Sequence, residues 1–136
     1  MSATDGPDPA STMTITIPAD VRFFRPVRLA VGGLAALAGF DVEAIDDLRI
    51  GVDELCAALT EAGTGDAVHL ELHAEPGVLL RIEGHTDRGP VGLDDERFTF
   101  SRQILSVVAD SFGYEIVGDD VTVWLERRPL SGRDGP

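Results

Sequence analysis

Two rhythms of hydrophobic and polar positions run along this chain. From Thr12 to Pro18, Met13, Ile15 and Ile17 alternate with threonines, the period of a half-buried strand, and Pro18 ends it. Phe24, Val27, Val31 and Leu34 then follow helical spacing to about Ala38. Pro26 fits such a helix in its first turn, and Gly32-Gly33 weakens it and marks close approach of another element. Gly39 is its C-cap, and Asp41 is the N-cap of a second helix, with Ala44 at the third position and no capping box. Ile45, Leu48, Val52, Leu55 and Leu59 form one stripe on that helix, which ends near Ala62-Gly63. The period of two returns at Val68, Leu70 and Leu72, interleaved with His69, Glu71 and His73. It resumes after the turn Glu75-Pro76-Gly77 at Val78, Leu80 and Ile82. Residues 84–96 read as a polar loop. Phe100, Ile104, Val107 or Val108, and Ser111 or Phe112 mark a third helix. Residues 114–117 and 121–125 form a last hairpin over Gly118-Asp119-Asp120.

The order is β-α-α-β-β-α-β-β, with one apolar face on each strand. It predicts an α/β two-layer sandwich of the α+β kind: a five-stranded antiparallel or mixed sheet with three helices on one face. The pattern is continuous over residues 12–128, one domain. Residues 1–11 and 129–136 are rich in Pro, Gly, Ser and Asp and are expected to be disordered tails.

The 136 residues are enough for a core without disulfides or metal, and 43% are hydrophobic. A net charge of −13 repels phosphate backbones and anionic lipid, which argues against direct nucleic-acid or membrane binding and suits a basic protein partner. The lone Cys56 cannot form an intramolecular disulfide and sits within an amphipathic helix, the place of a small buried apolar residue. With no signal peptide or apolar run long enough to span a bilayer, a cytoplasmic protein is expected.

The second helix carries a carboxylate pair, Asp53-Glu54, beside its apolar stripe. Asp47, Gly51, Glu54 and Ala58 form a neighbouring face, where one carboxylate stands between two small residues, as if to look onto a cavity. Together with the element order, the run Asp47-Leu48-Arg49-Ile50-Gly51-Val52-Asp53-Glu54-Leu55-Cys56 resembles the bacterial anti-sigma factor and serine-protein kinase family. Its members are small representatives of the GHKL, or Bergerat-fold, histidine-kinase-like ATPases. The resemblance covers roughly residues 12–127. It implies ATP or ADP and Mg²⁺ as cofactors, with Glu54 as the catalytic carboxylate of the N box. The family's magnesium-holding Asn falls four residues later, on the same helix face; here that position is Ala58, which offers no oxygen. Asp47 lies two turns away on the Glu54 face and Asp53 points about 100° off it, so neither is a simple replacement. The family's Asp-x-Gly-x-Gly motif is matched in part by Asp87-Arg88-Gly89, with Gly92 three residues on; Asp87 and Gly89 are the candidate adenine-binding residues. The glycine-rich lid that opens the last helix is replaced by Arg97-Phe98-Thr99-Phe100-Ser101, where two aromatics fill the space and Thr99 or Ser101 would cap the helix.

Arg22, Arg25 and Arg28 recur every three residues, a basic stripe on an acidic chain. The resemblance assigns this region to sigma-factor contact and to dimerisation, so these arginines are the candidate partner-binding residues. No metal site is expected. His69 and His73 share a strand face, but at roughly 3.4 Å per residue they stand about 13–14 Å apart, too far for one ion. His85 falls in the loop with no Ser or Cys partner in view, and Trp124 should face away from the helices, as at an interface.

The reading that follows is an anti-sigma-factor-like regulator that binds a sigma factor or an anti-sigma antagonist, as a homodimer, with a degenerate nucleotide site. Two alternatives stay open. One is an active ATP-dependent serine-protein kinase, and the other is a nucleotide-free interaction module.

Overall fold

The computed structural model describes residues 10–62, 66–86, 95–118 and 120–129, without the side chains of residues 62 and 95–98. Strand β1 (Ser11–Pro18) leads through a single 3-10 turn (Val21–Phe23) into helices α1 (Phe24–Leu37) and α2 (Val42–Ala62). Strands β2 (Ala67–Glu75) and β3 (Leu79–Thr86) follow. Helix α3 (Asp95–Val108) and strands β4 (Ser111–Val117) and β5 (Asp120–Arg127) complete the order. The sheet runs β1-β2-β3-β5-β4, and every neighbouring pair is antiparallel. The three helices cover one face, as the alternation requires.

Register explains why. Ile15, Leu70, Gly84, Val123 and Tyr114 lie opposite one another in turn, forming one row across all five strands beneath the helices. The next row, Thr16, His69, His85, Thr122 and Glu115, faces the other way. Leu48, Val52, Leu55 and Leu59 of α2 are fully buried over the first row. Burying each such side chain is worth about 1.5–3 kcal/mol, so α2 owes its place to this stripe. Gly84 sits at the sheet's centre for want of space: a Cβ there would come within 2.7 Å of the leucine tips of residues 55 and 59.

The helix ends are as the sequence marks them. The carboxylate of Asp41 accepts from the Ala44 amide at 2.9 Å. Gly39 has φ +84°, and the amides of Gly39 and Phe40 return to the carbonyls of Ala36 and Ala35. Those two bonds are a Schellman motif, with Phe40 buried behind it.

Some boundaries differ. Strand β3 continues through Gly84 and His85 to Thr86, so the loop begins later than the glycine suggested. Helix α3 starts at Asp95, ahead of Phe100, the first residue that carries the apolar period, so Thr99 and Ser101 lie inside it and not at its cap. Ser111 and Phe112 belong to β4, because Phe112 and Tyr114 pair inward with Leu125 and Val123.

Candidate functional site

The face of α2 that bears Glu54 is a closed seam. Glu54 is 9% exposed, and the hydroxyl of the wholly buried Ser101 donates to its Oε1 at 2.7 Å. Ala58 is buried. Gly51 is small because β5 and α3 press on it: a Cβ there would meet Leu125 at 2.9 Å and Val108 at 3.5 Å. The small residues therefore admit protein, where the sequence suggested room for a ligand. Asp47, at the seam's end, accepts from Arg127 Nη2 at 2.9 Å, and Asp110 stands 3.9 Å from the other terminal nitrogen. Arg127 is 0% exposed. Sequence reasoning missed it by ending the strand at Leu125, although one more step of the same alternation places residue 127 on the core face.

Asp53 lies outside the seam, and Arg28 Nη1 of α1 donates to it at 3.0 Å. Burial raises the Asp53 carboxyl above its ordinary value. The Arg28 charge and hydrogen bond pull it down, and the neighbouring Glu54 charge adds to the rise. Burial, with a smaller push from Asp53, drives the Cys56 thiol up to about 12, the mark of an inert buried cysteine.

A magnesium-nucleotide of the expected kind does not fit these residues. Position 58 has no oxygen and is buried, Asp47 is held by Arg127, and Asp53 faces Arg28. Asp87, Gly89 and Gly92 lie outside the described residues. Phe98's side chain lies outside the described residues, and Phe100 is placed at the surface. It is 53% exposed and joins Ile50, Ile104, Val107 and Val108 around an apolar groove of about 340 Å³ between α2 and α3.

The three arginines are not equivalent. Arg22 sits in the 3-10 turn and grips Asp20, whose carboxylate also accepts from the Arg22 amide. Those bonds hold Asp20 below the ordinary carboxylate value. Arg28 pairs with Asp53, as above. Arg25, Arg28 and Leu29 of α1 line a shallow concavity of about 240 Å³ with Arg49 of α2. Along α1, Arg25, Leu29, Gly33 and Leu37 follow at intervals of four, all exposed, with Leu29 at 62% and Leu37 at 82%. This outer face joins cationic rims to bare leucines.

On the far side of the sheet Trp124 faces away from the helices, as expected, beneath the Arg81 guanidinium at 4.5 Å from its ring centre. Arg81 also bonds Glu83 and Glu126. No described helix is long and apolar enough to cross a membrane.

No protein-family model matches the chain, and no curated protein does. Among solved structures, the chain is similar to the crystal structure of the RsbU and RsbW domains of Rv1364c from Mycobacterium tuberculosis. The TM-score is 0.69 and the identity 18%, over 87% of this chain and 32% of that one. The two share a fold, and the present chain corresponds to about a third of the longer one.

Proposed function

We infer that this chain is a regulatory binding protein of anti-sigma type, which docks a sigma factor or an anti-sigma antagonist through the outer face of α1. The observation that carries this reading is the pairing of exposed Leu29 and Leu37 with Arg25, Arg28 and Arg49 on one surface. On a chain of net charge −13, that surface suits an acidic, amphipathic segment, with leucines supplying buried area and guanidinium groups supplying orientation. The fold shared with a chain bearing an RsbW domain supports the same reading, as does the run from Asp47 to Cys56. Arg22 contributes less, since it sits in the 3-10 turn, outside the concavity that Arg25, Arg28 and Arg49 line.

The nucleotide site is proposed to be degenerate, with Glu54 retained as the hydrogen-bond partner of Ser101. If nucleotide is held at all, Asp87 and Gly89 would contact adenine without a magnesium ion at position 58. A homodimer is part of the proposal, and sedimentation at several concentrations checks it.

The deciding experiment is retention of purified sigma factors and their antagonists by the immobilised full chain, beside an Arg25→Glu/Arg28→Glu variant. At least one partner is expected to be held by the parent and released by the variant. Failure to retain any overturns the reading. Calorimetry with ATP, with and without magnesium, is expected to show no magnesium-dependent heat at millimolar nucleotide; a clear signal would restore the kinase alternative.

A further inference from the structure

Residues His69 and His85 pair directly across β2 and β3, and one step along the same face Glu71 pairs with Glu83. Side chains directly opposite on an antiparallel pair have Cβ atoms about 5 Å apart, and next neighbours along a strand stand about 7 Å apart. Two imidazoles and two carboxylates therefore occupy the corners of a small rectangle on the open face of the sheet. The distance that rules out an ion shared by His69 and His73 does not apply, because the second imidazole comes from the adjacent strand.

The imidazole centres are 4.9 Å apart with planes 27° from parallel, so the two rings stack. Two histidine nitrogens on one tetrahedral ion, at about 2.0–2.1 Å each, lie about 3.4 Å apart, so the rings must turn edge-on to share an ion, a movement the open face of the sheet allows. His69 Nδ1 shares a hydrogen bond with Thr16 Oγ1 at 3.1 Å, the kind of outer-shell support that orients a ligating ring. Arg81 already holds Glu83 at 3.0 Å, which leaves Glu71 as the carboxylate beside the imidazoles. The four corners, with Thr14 and Thr16, line a concavity of about 390 Å³. Among the described residues no three His, Cys, Asp or Glu side chains already converge, so the histidines are the anchor and Glu71 must rotate in.

We propose that His69 and His85, completed by Glu71 and water, chelate a divalent transition-metal ion of the zinc type. Mixed imidazole and carboxylate donors favour zinc, cobalt or nickel over magnesium, which takes oxygen alone. The site lies on the side of the sheet opposite Glu54 and is independent of partner binding by α1.

Calorimetric titration of the full chain with zinc chloride tests this, with magnesium chloride as the control. One equivalent of zinc is expected, with no magnesium heat, and cobalt is expected to give the visible bands of a four-coordinate ion. His69→Ala and His85→Ala should each weaken zinc binding by more than about tenfold, and His73→Ala should leave it unchanged. In the unsubstituted chain, zinc should move the imidazole nitrogen resonances of His69 and His85 and not those of His73, a readout that needs no variant to fold. Absence of zinc heat, zinc binding that survives both alanine variants, or resonances of His69 and His85 that stay in place would each overturn the proposal.

Discussion

Helix α2 looks two ways, and the two sides treat charge differently. Towards α3 and β5, Glu54 and Arg127 are buried against named partners, Ser101 and the partly exposed Asp47. Towards α1, Asp53 and Arg49 lie near the surface, beside Arg28 and Arg25. A buried charge must be satisfied within the fold, so its partner is structural and its loss is felt as stability. A half-exposed charge is screened by water, so it adds little to stability and is available to a partner. Glu54, which the motif singles out, is on the structural side. The arginines, which composition alone makes unremarkable, are on the side that can recognise something.

This contrast can be broken most sharply at Asp47. Asp47→Ala leaves Arg127 buried with the Arg128 carbonyl and the more distant Asp110, and should lower the stability measured by urea unfolding by about 3 kcal/mol. Replacing both partners, as Asp47→Leu/Arg127→Met, should recover most of that loss, since an apolar pair removes the stranded charge. Next comes Gly84→Ala, whose methyl group would overlap Leu55 and Leu59; it should cost about 1–3 kcal/mol and less than additively with Leu55→Ala. Ser101→Ala, which strips the buried Glu54 of a donor, should cost about 1–2 kcal/mol and leave partner retention as in the parent. A loss of binding without a loss of stability would make Glu54 part of the recognition surface.

The smallest stability effect is expected at Asp53. Its carboxyl is raised in the folded state, so it binds its proton more tightly there than when unfolded. The contribution to folding is present below the ordinary carboxylate value and is lost as pH rises through the folded value. At neutral pH Asp53→Asn should therefore change stability by no more than about 0.5 kcal/mol, while flattening the acid limb of the stability curve. A large loss would mean that the Arg28 pair is structural and the contrast between the two sides of α2 false.

What the sequence made legible follows from the range of the forces involved. The stripe of α2, the threonine alternation of β1 and the caps at Gly39 and Asp41 are set by neighbours in the chain, and period or residue type reveals them. Gly84 and His85 looked like loop because the glycine answers to α2, more than twenty positions earlier. Ser101 is 47 residues from Glu54, and no local pattern announces that bond. Arg127 escaped for a different reason: alternation pointed inward, but a charge there makes sense only once Asp47 and Asp110 are in place. Of the candidate site, the Glu54 and Ala58 positions were readable, and the closure of the face around them was not.

The crowding over Gly84 also bears on how reliably the chain finds its pairing. A slip of one residue in β3 would bring His85 or Glu83 under the leucines of α2, at a point where even a methyl group meets atoms at 2.7 Å. Misregistered sheets are thereby excluded by volume as well as by polarity. The one place in the strand too narrow for any side chain acts as a detent: the helix seats on the sheet only when the strand has stopped in the right position.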